Sequence, residues 1–325
     1  MGARMLAWLL SLTVALGPVT TSRFIQTDER PAAIQRALGF IYSVASDQAV
    51  FAAHGDDLLW CFFSIANTAK DPELRKQAAK MGHELAETWH RGHPHIPANA
   101  DAEELTQLVM GAYAAERLGV KDRQIKAELR KAAARFTARD YLRFDAPNEP
   151  PDLNDPDRYQ TWMDALIRTF FGDAYGIKLG AHYRDVVKWL PRLRPYLEND
   201  DSLEFDEFYA ITHLIYTLDR YGERRVSASF LTEEVGFLKR RMAEAMADDD
   251  PEMVGEGMDS LKMLGLENDA LVLQGEQYLL SHQHPDGTWA GGQDDIYTAY
   301  HSAWTGIDGL RDYRFRGKVK KLPVM

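Results

Sequence analysis

"DEFYAITH", Asp206 to His213, returns as "DDIYTAYH", Asp294 to His301. Both copies read acid, acid, apolar, Tyr, three residues, His. The second begins 88 residues after the first, which leaves room for two helix pairs of about 44 residues each. At 100° per residue a helix puts Phe205, Tyr209, His213 and Tyr216 on one face, and Tyr297, His301 and Trp304 on the matching face of the second copy. Each His therefore sits on an aromatic stripe. Equivalent helices in a closed arrangement would turn both stripes to one interior. A weaker copy, "DDLLWCFF" from Asp56, lacks the Tyr and His, and "EELTQLVM" from Glu103 keeps the acids alone. Acids in a first helical turn suit the helix dipole and are ordinary. The Tyr and His at matched positions are less so.

The rest of the chain reads as helix after helix. "DPELRKQAAKMGHELAETWH" opens with an Asp71 cap and Pro72 at the first helical position. "DAEELTQLVMGAYAAERLG" starts on acids and stops at Gly119. Segments from Arg158, Phe208, Phe230, Pro251 and Asn268 repeat apolar residues mostly at helical spacing, and no period-2 strand run stands out. The proline-bearing stretch 143–157 reads as a loop or a connection between halves. The expected class is all-α, with ten or more helices forming a bundle, a superhelix or a closed ring of helix pairs.

The 325 residues carry a formal charge of −11, so no basic footprint for nucleic acid is present and none is expected as partner. "MGARMLAWLLSLTVALGPVTTS" has Arg4, an apolar run from Met5 to Leu16, then small residues, the layout of a secretory signal peptide. Residues 1–22 are read as that signal and 23–325 as one domain. The run is short for a membrane span, and an uncleaved anchor is the alternative. An exported protein is expected: periplasmic, extracellular or in the secretory pathway. The single cysteine, Cys61, lies among apolar neighbours and reads as a buried small hydrophobe.

Before the second copy stands "YLLSHQHPDGTWAGG", with Gln283, Gly287 and Trp289 as Q-x3-G-x-W, and after it "DDIYTAYHSAWTGIDGL" ends in Gly-Leu. This region resembles the QW repeat of squalene–hopene cyclases and the related protein prenyltransferase β subunits, over about 35 residues. The resemblance implies an (α/α) toroid, with outer and inner helices alternating around a cavity. The turn also makes sense alone: Gly287 permits a tight backbone, Trp289 can pack over the next helix start, and Gln283 can bond a free N–H there. Similar D-G-x-W turns occur in toroids that cleave or bind polysaccharide. The families' catalytic motifs are missing. There is no D-x-D-D acid, "HGDDLLW" and "QDDIYTA" lack the third acid of D-D-x-x-D, and no Cys accompanies Asp294, Asp295 and His301.

Two chemistries fit the repeated residues. His213 and His301 could be ligands of a divalent metal such as zinc, copper or iron, completed by Asp295, Glu207, Asp57 or His54. They could instead be a general base and acid assisted by Tyr209, Tyr297 or Tyr300. The bland alternative is two core histidines satisfied by a tyrosine or an acid. "HRGHPHIP" offers His90, His93 and His95 in a loop, "ADDDPE" reads as a helix cap before Pro251, and "RFRGKVKK", Arg314 to Lys321, is a basic tail that could touch an anionic partner. "GAHYRD" sets His182, Tyr183 and Arg184 side by side, a combination polysaccharide lyases use. The leading expectation is an enzyme acting on a small or medium-sized organic substrate in an aromatic cavity. A polysaccharide lyase or hydrolase with an oligosaccharide substrate, and a non-catalytic ligand-binding toroid, are the alternatives. Oligomeric state is left open.

Overall fold

The computed structural model describes residues 29–194, 196, 204–290 and 295–322. The expected signal segment 1–22 and Asp294 of the second copy lie outside the described residues. The first half holds α1 (Arg30–Ala45), α2 (Gln48–Thr68), α3 (Pro72–Gly92), α4 (Ala102–Arg117), α5 (Arg123–Ala133), α6 (Ala138–Leu142) and α7 (Arg158–Tyr175). After the short α8 (Tyr183–Val187) and α9 (Leu190–Leu193) come α10 (Glu204–Asp219), α11 (Thr232–Ala247), α12 (Pro251–Met263), α13 (Ala270–His282) and α14 (Ile296–Leu310). The protein is all-α apart from two-residue strands, β1 (Arg224–Arg225) and β2 (Gly317–Lys318), which pair in parallel. The stretch 143–157 is turns and loop leading into α7.

The helix starts follow from local chemistry. Asp47, Asp71, Asp101, Asp122, Asp250, Asp269 and Asp295 each accept a backbone N–H of the first turn that follows. Proline stands at the start of α1, α3 and α12, where its missing N–H costs nothing. The packing falls into two sets. Helix α2 packs on α4, α4 on α7, α7 on α10, α10 on α12, α12 on α14, and α14 on α2. The other long helices sit against these: α1 on α14 and α2, α3 on α2 and α4, α11 on α12 and α10, α13 on α12 and α14. Helix α2 is apolar and long enough, by length and composition, to cross a membrane, yet Leu58, Leu59, Trp60, Phe62 and Ile65 are buried inside the protein. Cys61 is buried among them, and burial pushes its thiol pKa up.

The Gln-Gly-Trp turn ties α13 to its neighbours, though not as the sequence suggested. Gln283 donates Nε2–H to the carbonyls of Ala33 (2.9 Å) and Gly287 (3.1 Å), and its Oε1 accepts from Arg36, so it joins α1 instead of a free N–H of α14. Gly287 has φ +100°, and a Cβ there would come 2.5 Å from the Arg36 carbonyl oxygen. Trp289 donates to the Leu279 carbonyl at 2.8 Å and lays its ring over Gly306, in the body of α14 and not at its start.

Candidate active site

A cavity of 490 Å³ is lined from all six helices of the first packing set. Helix α2 gives Asp57 and Trp60, α10 gives Tyr209 and His213, α12 gives Glu252 and Glu256, and α14 gives Tyr297, His301 and Trp304. Helices α4 and α7 add Met110, Gln160, Asp164 and Phe171. His213 and His301 thus line one cavity from neighbouring stripes. Tyr297, 45% exposed, stands at the rim and stacks on His301 with ring centroids 5.1 Å apart.

Three helices converge on Glu252. The Tyr209 hydroxyl donates to its Oε1 at 3.2 Å, and His301 Nδ1 lies 3.1 Å from the same oxygen. The second contact is an ion pair off the hydrogen-bond axis. Burial opposes charge on His301, but Glu252, with Glu256 and Asp57 behind it, outweighs burial and pushes the imidazolium pKa up to about 9. Glu252 is correspondingly held below its usual value, against the opposing effect of its burial. Among the described residues His213 has no carboxylate partner. Burial, reinforced by the charge of His301, pushes it down to about 4, against a hydrogen bond from its ring to the Tyr209 carbonyl at 2.8 Å. A neutral imidazole can only donate there, so Nδ1 carries the proton and Nε2 keeps its lone pair.

The remaining acids are protonated more readily than usual. Burial pushes Glu256 up to about 8, and the Thr212 hydroxyl lies 2.7 Å from its Oε2. Burial also raises Asp57, which accepts from the Tyr300 hydroxyl at 2.9 Å. Tyr209, Tyr297 and Tyr300 are all pushed well up, by burial first and nearby carboxylates second. Tyr209 and Tyr300 donate hydrogen bonds here, and none of the three is poised as a base. The indole N–H groups of Trp60 and Trp304 are buried and have no partner within the protein among the described residues.

Backbone conformations that are rarely populated aim two parts of the site. His54 breaks the helical path of α2 (φ −132°, ψ 18°), so Asp56 and Asp57 open its second half instead of a new helix. Arg220 and Tyr221 both have positive φ, 61° and 53°, a cost of about 1–3 kcal/mol each. Asp219 holds that turn by accepting the Gly222 N–H at 2.9 Å, and Tyr221 then packs edge-on against Trp60 with centroids 4.8 Å apart. Below the cavity lies a buried polar floor. There Arg311 pairs with Asp308 at 2.5 Å and donates to Thr68 at 2.8 Å, while Lys262 donates to the Gly309 carbonyl at 2.8 Å.

The six residues offered as a metal set are divided. His54 packs tilted against Tyr297 and edge-on to Tyr300 with centroids 6.1 and 5.7 Å away, Asp57 is bonded to Tyr300, and His301 is paired with Glu252. Asp295 is exposed and caps α14, bonding the Thr298 N–H at 2.9 Å. Its counterpart in the first copy, Glu207, is fully buried near Tyr159 and does not line the cavity. Among the described residues no three His, Cys, Asp or Glu side chains are grouped to hold a metal ion. His90 faces Asp122, His93 bonds the Trp89 carbonyl and His95 faces Glu128, so that trio does not converge. Nor do His182, Tyr183 and Arg184, whose partners are Asp173, Thr217 and Asp185 respectively.

The sequence reading missed Glu252, Glu256, Trp60 and Asp164. A signal for the first two was present in "PEMVGEGMD". Two acids one helical turn apart among Met, Val and Gly have no solvated face to occupy. In comparisons with known proteins, no family model, no curated protein and no solved structure matches the chain.

Proposed function

We propose that the chain is an enzyme that moves protons on a neutral or cationic organic substrate, with His301 as general acid and His213 as general base. The observation that carries the reading is one cavity lined by two histidines of which His301 is paired with Glu252, which pushes it up to about 9, while burial pushes His213 down to about 4. Environments that push paired titratable groups apart are how one site runs acid and base chemistry together. His213 Nε2 takes a proton from the substrate or from an attacking water. His301 returns one to the oxygen that develops charge or leaves. Isomerisation, elimination of water and hydrolysis all balance with that exchange.

The lining narrows the substrate. It carries Asp57, Asp164, Glu252 and Glu256 but neither Lys nor Arg. A carboxylate or phosphate substrate would meet one imidazolium, already paired with Glu252, and no Lys or Arg, so polyuronate cleavage is disfavoured and neutral sugars or alcohols fit better. The volume of 490 Å³ suits a molecule of drug size. The same reading takes the fold as an (α/α) toroid of the cyclase–prenyltransferase kind, and the protein as exported. The order α2, α4, α7, α10, α12, α14 and back to α2, with other helices packed against it, supports the toroid. A second reading, a non-catalytic receptor for an organic cation, draws on the same acids and on the aromatic walls of Trp60, Tyr297 and Trp304.

The test is turnover of a panel of aryl glycosides, cyclic alcohols and cyclic amines by the wild type, His213→Asn and His301→Asn. Each substitution should cost about a hundredfold or more in kcat while ligand binding persists. Unchanged turnover in both variants would sink the acid–base assignment. Tight binding of a cation with no turnover would favour the receptor.

A further inference from the structure

A second concavity, of 770 Å³, lies where the C-terminal ends of α7 and α10 meet the tail of the chain. Six cationic residues line it: Arg220, Arg224, Arg316, Lys318, Lys320 and Lys321. In a chain of formal charge −11 this is a local reversal of sign. The tail is not a loose end. Arg224 and Arg225 pair in register with Gly317 and Lys318. Arg316 N–H donates to the Glu223 carbonyl at 2.7 Å, and Val319 N–H to the Arg225 carbonyl at 2.9 Å. The backbone that carries Arg224, Arg316 and Lys318 is therefore held in place.

Part of the charge is answered within the protein. Arg220 pairs with Glu223 at 3.3 Å, and Arg316 donates to the Asn67 carbonyl at 3.2 Å. Arg224, Lys318, Lys320 and Lys321 have no acidic side chain within ion-pair distance among the described residues. The acid in the groove wall, Asp173, is engaged by His182 at 2.8 Å and by the Tyr183 N–H at 2.9 Å. Cations also suit the carbonyl ends of helices. Three of the four unpaired ones, however, belong to the tail and to neither helix. Like charges gathered on one groove wall repel one another, and a bound anion relieves that repulsion. Concavity disfavours a flat membrane, and the volume is that of a small-molecule site.

We infer that this groove binds a compact polyanion of nucleotide size carrying two or more phosphate or sulfate groups. The site is independent of the cavity between the six helices, whose lining offers such a ligand neither Lys nor Arg.

The experiment is calorimetric titration and thermal shift of the whole chain with pyrophosphate, ATP and a sulfated disaccharide, at low and physiological salt. At least one should bind, raise Tm with concentration and weaken as salt rises. ATP bound in preference to the sulfated sugar would assign a nucleotide, and the reverse a sulfated glycan. Combining Arg224→Gln, Lys318→Gln, Lys320→Gln and Lys321→Gln should weaken binding at least about tenfold. Lys76→Gln with Lys80→Gln, exposed on α3, should leave it unchanged. No binding by any probe would overturn the inference. So would binding that survives the groove variant, binding lost equally in the α3 control, or binding only to vesicles rich in anionic lipid.

Discussion

His301 and Glu252 form an ion pair, Nδ1 to Oε1 at 3.1 Å, that joins α14 to α12 at the wall of the cavity. Because Tyr209 reaches the same oxygen from α10, one carboxylate ties three helices to one point. Removing one partner of such a pair strands the other charge in a poorly solvated site. Glu252→Gln should therefore lower the His301 titration midpoint from about 9, and cost about 3–5 kcal/mol if the remaining imidazolium stays charged. NMR titration of the histidine ring protons, together with urea denaturation, checks both. A His301 midpoint unmoved by the substitution would show that Glu252 does not set its charge.

Stability should fall on the alkaline side. The folded pKa of His301 is raised, so its contribution is full below its ordinary 6.5 and lost as pH rises through about 9. Glu256 is raised in the same sense, from 4.5 to about 8, and adds to the decline over its own window. Unfolding free energy measured across pH 6.5–9 should slope downward in the wild type, and less steeply in His301→Gln. Equal slopes would rule out His301 as a source.

His213 should act at the other end. Its folded pKa is depressed, so its contribution is present above 6.5 and lost as pH falls through about 4. Ring spectra of the histidines should show it neutral throughout that window, with the proton on Nδ1. A midpoint near 6.5 would remove the division of labour between the two histidines. In turnover, the His301 and His213 midpoints should bound the active range, with a plateau between them.

Close backbone approach between α12 and α14 should be intolerant of a single methyl. A Cβ on Gly255 would lie 2.7 Å from the Thr305 carbonyl oxygen, an atom of the facing backbone that cannot swing away. Gly255→Ala should cost about 1–3 kcal/mol, read as a lower urea midpoint at constant slope. Gly39→Ala, where nothing lies within 4 Å of the new atom, should be neutral or slightly stabilising. Equal effects at the two positions would show that the α12–α14 contact is looser than described.

Tyr300→Phe removes the hydroxyl that Asp57 accepts at 2.9 Å. Loss of that hydrogen bond should cost about 1–3 kcal/mol and raise the Asp57 titration further. Asp57→Asn in the same background should recover part of the loss, since the amide needs less solvation than a carboxylate. A double-mutant cycle without coupling would dissolve the pair.

The repeat shows how much of this could be read along the chain and where reading stopped. Tyr and His spacing placed His213 and His301 on the right helix faces, because a fixed 100° step relates sequence to face without knowledge of neighbours. The same pattern misled for the acids. Asp295 and Glu207 occupy matched positions, yet one is an exposed cap and the other is fully buried, since α14 begins at Ile296 while α10 already begins at Glu204. "ADDDPE" correctly announced the Asp250 cap, but nothing local distinguished Glu252 as a partner 49 residues from His301.

What the sequence determined by itself was local: the helical class, the aspartate caps, the stop at Gly119, the irregular 143–157 stretch and the burial of Cys61. Each depends on dihedral preferences, capping hydrogen bonds or hydrophobic periodicity within a few residues. Tertiary structure decided which carboxylate meets which imidazole, and so which histidine is charged. It also turned a basic tail into one wall of a groove. Those outcomes depend on distance and desolvation between segments far apart in the chain. Two histidines with the same local sequence pattern end with pKa values of about 4 and about 9 because only one of them was folded against a glutamate.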